Sequence, residues 1–239
     1  MTNLNPVSYA SDEAKSFLLR TIQDRYSYEF EWLSRPIIQY PQDIVAFQEL
    51  VSSVKPELII ETGIAHGGSL VLSASLLCLL DVMEGVDPRQ SKRKVIGVDI
   101  DIRPHNREAL ENHPLRFKME LIEGSSIDPS IVNSIRSRAG DYQSVLVSLD
   151  SNHTHEHVLG ELNAYADLVT LGSYCIVFDT VIENLPSGLY VDRPWDVGDN
   201  PMTAARLWLK DHPEFVVDQA IDSKLQISVA PEGYLKRIS

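Results

Sequence analysis

Five short apolar runs rich in β-branched residues, each followed by a segment long enough to hold a helix, constrain this chain more than anything else in its sequence. They are ELIIET (57–62), KVIGVD (94–99), KMELIE (118–123), SVLVSL (144–149) and SYCIVF (173–178). Continuous apolar runs suit strands buried on both faces, and crossover segments cover such strands with helices. They predict an α/β fold with a parallel sheet between helical layers. The end of the chain breaks the rhythm: EFVVD (214–218) and KLQISVA (224–230) lie too close for a crossover, so an antiparallel hairpin is expected. Ahead of the first run, Phe17, Leu18, Ile22, Tyr26 and Phe30 recur at helical spacing, predicting a helix from Ser11, its N-cap, to Leu33. A second helix is expected after Pro41, ending before Lys55-Pro56.

At 239 residues and 44% hydrophobic content, the chain suits one domain over 1–239, with 1–55 a helical extension and 56–239 the sheet core. A formal charge of -13 argues against a surface that neutralises the phosphates of nucleic acid or an anionic membrane. A neutral or cationic small substrate fits better. Cys78 and Cys175 lie in separate apolar runs and are read as buried free thiols, which permits a cytoplasmic location. The opening MTNLNPVSYASDE lacks the pattern of a leader, and LVLSASLLCLL is too short to span a bilayer, so a soluble protein without a transmembrane segment is expected. DVMEGVDPRQSKRK (81–94) is read as an exposed loop.

IIETGIAHGGSL (59–70) has the order strand, glycine-rich turn, helix start. Gly63, Gly67 and Gly68 allow a tight turn and close approach of a ligand to free helix N–H groups; helix–strand packing is their alternative use. The spacing Gly63-x-Ala65-x-Gly67-Gly68 does not meet the dinucleotide fingerprint. Glu61, at the strand end, would repel a pyrophosphate and attract an amino-acid ammonium, favouring S-adenosylmethionine (SAM) over NAD. Asp99, in GVDID, is the candidate ribose ligand ahead of Asp101, with helix capping as its alternative. Ser125 and Ser126, with Ile127, stand where an adenine rim would meet hydroxyls or amides, and Asp128 is expected to cap the next helix.

Asp150 closes the fourth run and Asp179 the fifth, so a parallel sheet brings both to the edge where ligands bind. A hard divalent ion such as Mg²⁺ takes such carboxylates together with a substrate hydroxyl, whose pKa it lowers. Solvated strand ends are the plain alternative. In LDSNHTHEHV, His153, His155 and His157 would share a face only on a strand, whereas the pattern from Val158 onward is helical. A three-histidine metal site is therefore disfavoured. His153 stands nearest Asp150 and is the candidate base, while His155 and His157 are read as surface residues at a helix start.

Five parallel strands and a hairpin are the layout of the Rossmann-like class I methyltransferases, a seven-stranded, mostly parallel sheet. KPELIIETGIAHGGSL, VLVSLDSNHTHEHVLGEL, VFDTVIE and APEGYLKR together resemble the rhamnosyl O-methyltransferase/cephalosporin hydroxylase family, and the likeness covers most of the chain. That resemblance implies SAM around Glu61, Gly63, Ala65, His66, Gly67, Gly68, Ser69 and Asp99, and a Mg²⁺ site at Asp150 and Asp179. Some relatives carry Glu-Asp at the end of the fifth strand; here Phe178 precedes Asp179, leaving Thr180, Glu183 or water to complete a shell. The metal-dependent catechol-type O-methyltransferases are similar in placing a base three residues after the metal aspartate, the position of His153. Members occur in polysaccharide, lipid and antibiotic pathways, so the acceptor implied is a sugar hydroxyl in a glycan, glycolipid or natural product. An Fe(II)-dependent hydroxylase, as the family name suggests, and a non-catalytic SAM-binding protein are the alternatives.

LPSGLYVDRPWDVGDNPMTAARLWL (185–209) is read as an acceptor loop or lid, with Asp192, Arg193, Trp195 and Asn200 as candidate sugar contacts. The N-terminal helices can pack on their own sheet or on a second copy in a homo-oligomer.

Overall fold

The computed structural model describes residues 11–239; the first ten residues of the segment read for a leader lie outside them. Strands β1 (Leu58–Thr62), β2 (Lys94–Asp99), β3 (Met119–Glu123), β4 (Val145–Leu149), β5 (Tyr174–Val177), β6 (Phe215–Val217) and β7 (Tyr234–Arg237) form one sheet. Its order is β3-β2-β1-β4-β5-β7-β6, parallel except for β7, which runs against both neighbours. The expected parallel sheet with its C-terminal antiparallel pair is therefore present. β1, β4 and β5 are buried along their whole length, which is why their sequences carry almost no alternation. Each sheet face covers its own apolar cluster, one around Phe47, Leu70 and Leu77, the other around Val147, Leu162 and Trp208.

Among the described residues eight α-helices flank the sheet: α1 (Asp12–Gln23), α2 (Pro41–Val54), α3 (Gly68–Met83), α4 (Pro104–Glu111), α5 (Pro129–Ala139), α6 (His155–Tyr165), α7 (Pro201–Trp208) and α8 (Gln219–Leu225). Ser11 and Asp128 cap α1 and α5 as expected, each accepting from backbone N–H groups of the first turn. α1 ends ten residues earlier than Leu33. Arg25 adopts a left-handed φ of 55°, and Tyr26 then packs against both Phe30 and Tyr40, turning the chain out of the helix.

Two further expectations need correction. The second strand of the C-terminal pair is Tyr234–Arg237, whereas residues 224–230 hold the end of α8 and an irregular strap. Asp218 caps α8, Gln226 ends it at φ 61°, and buried Asp43 then ties down the strap. The Asp43 carboxylate accepts from Ser228 Oγ (2.6 Å), Val229 N (3.0 Å) and Tyr234 Oη (2.8 Å). The segment 81–94 is likewise anchored at its start: Asp81 is fully buried and accepts from Lys118 Nζ (2.5 Å), Arg93 Nη1 (2.6 Å) and Ser91 Oγ (2.7 Å). Cys175 is buried and Cys78 half-buried, both as free thiols. Among the described residues no helix is long and apolar enough to cross a membrane.

Removing the Asp43 carboxylate takes the acceptor from two hydroxyls and a backbone N–H. Asp43→Ala is expected to cost about 3 kcal/mol in urea unfolding; a loss near zero would mean that apolar packing alone holds the strap.

Candidate functional site

The strand order reverses between β1 and β4, and a cavity of about 190 Å³ lies at their carboxyl ends. Its wall combines the glycine turn (Gly63, Ile64, Ala65, His66, Gly68, Ser69), the strand exits (Asp150, Ser151, His153, Asp179) and the segment before α2 (Tyr28, Pro36, Ile37, Ile38, Gln39).

Ligand atoms of Asp150, His153 and Asp179 lie within 4.8 Å of one another, with His153 Nε2 3.2 Å from Asp179 Oδ2. Asp179 leaves β5 in a left-handed conformation, φ 56°, and opens the 3-10 turn Thr180–Asn184. Phe178 is packed in the core beneath. Thr180 and Glu183 are engaged elsewhere: Thr180 Oγ1 donates to the Pro231 carbonyl at 2.6 Å, and Glu183 Oε2 accepts from Gly198 N (2.8 Å) and Asn200 Nδ2 (2.5 Å). The side chain that joins the two aspartates is His153. Burial first, then the neighbouring Asp179 and Glu61, push the Asp150 carboxyl well above its usual range. No Lys or Arg is among the described residues lining the cavity. Two carboxylates without a fixed cation form a donor set suited to a divalent ion, with an imidazole beside them.

The glycine turn is built against this cluster. A Cβ on Gly63, at φ 86°, would stand 2.0 Å from the Asp150 carbonyl oxygen, and one on Gly68 would stand 2.3 Å from that of Pro36. Gly67 is the uncapped N-terminus of α3, which leaves helix N–H groups available. Asp99 Oδ2 accepts from Ile64 N (2.8 Å) and Ala65 N (3.1 Å), so the candidate ribose carboxylate also fixes the turn. Glu61 stands behind it, 2% exposed, accepting from Ser69 Oγ (2.6 Å) and Ser73 Oγ (3.3 Å). Two braces were not anticipated: Arg35 Nε donates to the His66 carbonyl (2.9 Å), and Asn106 Nδ2 to that of Ala65 (2.8 Å). Arg35 and Asn106 also bond each other at 2.8 Å. Their distance in sequence from the turn hides them, and no local pattern marks them.

Ser126, at the exit of β3, donates to Glu161 Oε1 (2.5 Å) beside Ser151, which donates to the same oxygen (2.6 Å). His157 Nε2 lies 3.0 Å from Ser126 Oγ and 3.2 Å from Ser151 Oγ, and His155 Nδ1 lies 2.8 Å from Thr203 Oγ1. Both histidines are thus ties between elements, not simple surface residues. The i,i+4 spacing of His157 and Glu161 was the available signal. Ser125 is half-buried next to Ser126. In the loop, Trp195 meets His153 edge to face at 4.6 Å and Arg193 lies over the indole at 5.2 Å, while Asp192 is exposed.

The family model for rhamnosyl O-methyltransferase/CmcI matches residues 24–238. The chain belongs to this family. The rhamnosyl O-methyltransferase of Mycobacterium tuberculosis is 30% identical over 200 residues, covering 82% of this chain and 73% of that protein. Its Mycobacterium leprae counterpart is 26% identical over 208 residues, 86% and 82% of the two chains. Among solved structures, the magnesium- and SAM-bound form of CmcI superposes with a TM-score of 0.58 at 18% identity, over 89% of this chain and 78% of that one. Its apo form gives 0.57 at 19%, over 89% and 77%. These superpositions establish a class I methyltransferase fold for this family member.

Burial lifts Glu61 to about 7 and Asp43 to about 6, above ordinary values of 4.5 and 3.8. The fold favours their protonated forms, so the stability they contribute is present at low pH and lost as pH rises through those values. For Glu61 the term is on the order of 3 kcal/mol. The melting temperature in chelator is expected to fall between about pH 5 and pH 8, and Glu61→Gln to flatten the fall; a steady rise over that window in the unaltered protein would contradict the assignment.

Proposed function

We propose that this protein is a SAM-dependent O-methyltransferase acting on a sugar hydroxyl of a glycan, glycolipid or natural product, with a divalent ion such as Mg²⁺ at Asp150 and Asp179. The observation that carries the reading is the meeting of the glycine turn and the Asp150–His153–Asp179 cluster at one cavity, in a chain of the rhamnosyl O-methyltransferase/CmcI family. Relatives named rhamnosyl O-methyltransferases support a deoxysugar acceptor. The cavity suits the cofactor: it is acid-lined, without Lys or Arg among its described lining, and floored by an uncapped helix start. The catalytic unit is the sheet core, 56–239, with the segment before it closing the cavity wall.

When bound, SAM supplies a methyl group on a sulfonium, and the ion lowers the pKa of the hydroxyl that receives it. Gly63, Ala65, His66, Gly67, Gly68 and Ser69 shape the bed for the cofactor, and Glu61 acts on its ammonium through Ser69. Asp99 takes the ribose, and Ser125 and Ser126 meet the adenine rim. Asp150 and Asp179 would hold the ion through their carboxylate oxygens. His153, held between Asp179 and Trp195, takes the hydroxyl proton at Nε2. Asp192 and Arg193 face the acceptor from the loop. Alignment and charge then do most of the catalysis.

The test is methyl transfer from SAM to methyl α-L-rhamnoside with Mg²⁺ and with chelator. Asp150→Asn and Asp179→Asn are each expected to lose roughly 100-fold in turnover while SAM still binds, and full metal-stimulated turnover in both would refute the metal site. His153→Gln is expected to lower kcat by about 100-fold with little change in the metal concentration required; unchanged kcat would remove the base.

A further inference from the structure

Gln39 lies in the segment between the short ladder of Glu31–Trp32 with Arg35–Pro36 and the start of α2. That segment packs against the glycine turn and is tied to the elements before it. Ile37 N donates to the Phe30 carbonyl at 3.0 Å, the Pro36 carbonyl fills the space beside Gly68, and Tyr40 Oη pairs with Thr21 Oγ1 at 2.8 Å. Gln39 is 5% exposed and lines the cavity together with Gly63, Gly68, Asp150 and Asp179. Its Oε1 has no hydrogen-bond partner.

A buried amide oxygen without a donor destabilises the ligand-free protein, and a group kept in that condition at a cavity wall marks a place where a ligand supplies the partner. Gln42 Oε1 is equally unpaired but is not part of the lining of this cavity.

The chemistry of the wall narrows the ligand. Asp150 and Asp179 accept only, and the described lining has no Lys or Arg to receive a carboxylate. A primary amide presents an acceptor and a donor side by side, whichever way it is flipped. The amino-acid end of SAM presents the complement, an ammonium beside a carboxylate. We propose that Gln39 binds this zwitterionic end of the cofactor, accepting from the ammonium at Oε1 and donating to the carboxylate from Nε2. The assignment rests on the SAM reading above and adds a contact on the N-terminal side of the turn.

Calorimetric titration of SAM and of 5′-methylthioadenosine, which keeps the adenosine and sulfur but lacks the amino-acid end, tests it. In Gln39→Met, which keeps the side-chain length, SAM is expected to bind roughly ten-fold more weakly while 5′-methylthioadenosine binds as in the unaltered protein. The ligand-free melting temperature should be equal or higher, because an unpaired buried amide has been removed; a glutamine with only a structural role would lower it. Gln39→Ala provides the same comparison with a cavity in place of the thioether. Equal SAM affinity in the unaltered protein and Gln39→Met would overturn the proposal, as would a proportional loss for both ligands. So would unchanged SAM affinity with a raised acceptor KM, which would assign Gln39 to the sugar. If the unaltered protein bound neither ligand, the SAM reading itself would fall along with it.

Discussion

The site depends on there being no side chain at Gly63. Its α-carbon lies so close to the Asp150 carbonyl that a methyl group would stand 2.0 Å from the oxygen, and its φ of 86° is one that a larger residue adopts only under strain. This contact brings the turn leaving β1 and the chain leaving β4 into the same small volume. A cofactor lying on the turn is thereby delivered to the carboxylate of Asp150. Gly68 repeats the device on the other side, admitting the Pro36 carbonyl and with it the segment that carries Gln39. Three separate parts of the chain wall one cavity because two positions carry no Cβ.

Charge is distributed with a matching asymmetry. Burial would raise Asp81, but Lys118, Ser91 and Arg93 hold its carboxyl below the usual range. Asp150 sits among Asp179, Glu61 and Asp43 with no Lys or Arg among the described lining of the cavity, and its carboxyl is pushed the other way. The same chain therefore neutralises one buried acid and leaves another exposed to repulsion from its neighbours. Coulomb repulsion of that kind would be relieved by a bound cation, which is the physical ground for proposing one there.

What was legible in the sequence follows from how local each signal is. The parallel strands could be read because burial on both faces makes each a continuous apolar run, and Asp150 and Asp179 could be found because each ends such a run. His153 followed from its position beside Asp150 before a helical pattern. The last strand was misplaced because KLQISVA alternates like a strand, whereas the true one, Tyr234–Arg237, is half charged; the alternation there serves a strap tied to Asp43, which lies 185 residues away from Ser228. Arg35 and Asn106 escaped for the same reason: their partners are set by tertiary approach, which periodicity does not encode. His157 was misjudged because helical spacing shows which face it occupies but not that buried Glu161 waits one turn on.

The acceptor loop shows where local reading reaches its limit. A tryptophan between Pro and Asp in a long loop suggests an open platform for a sugar, yet Trp195 already packs against the His153 ring and lies under Arg193. The loop is held by Asp196, which accepts from Ser187 Oγ and Gly188 N, and by the bond from Asn200 to Glu183 in the turn that begins at Asp179. Loop and base are consequently one mechanical unit. Any displacement of Trp195 therefore also bears on the imidazole and its contact with Asp179. If His153 is the base proposed above, discrimination between acceptors would act on its alignment as well as on binding, through a loop that lies outside the sheet.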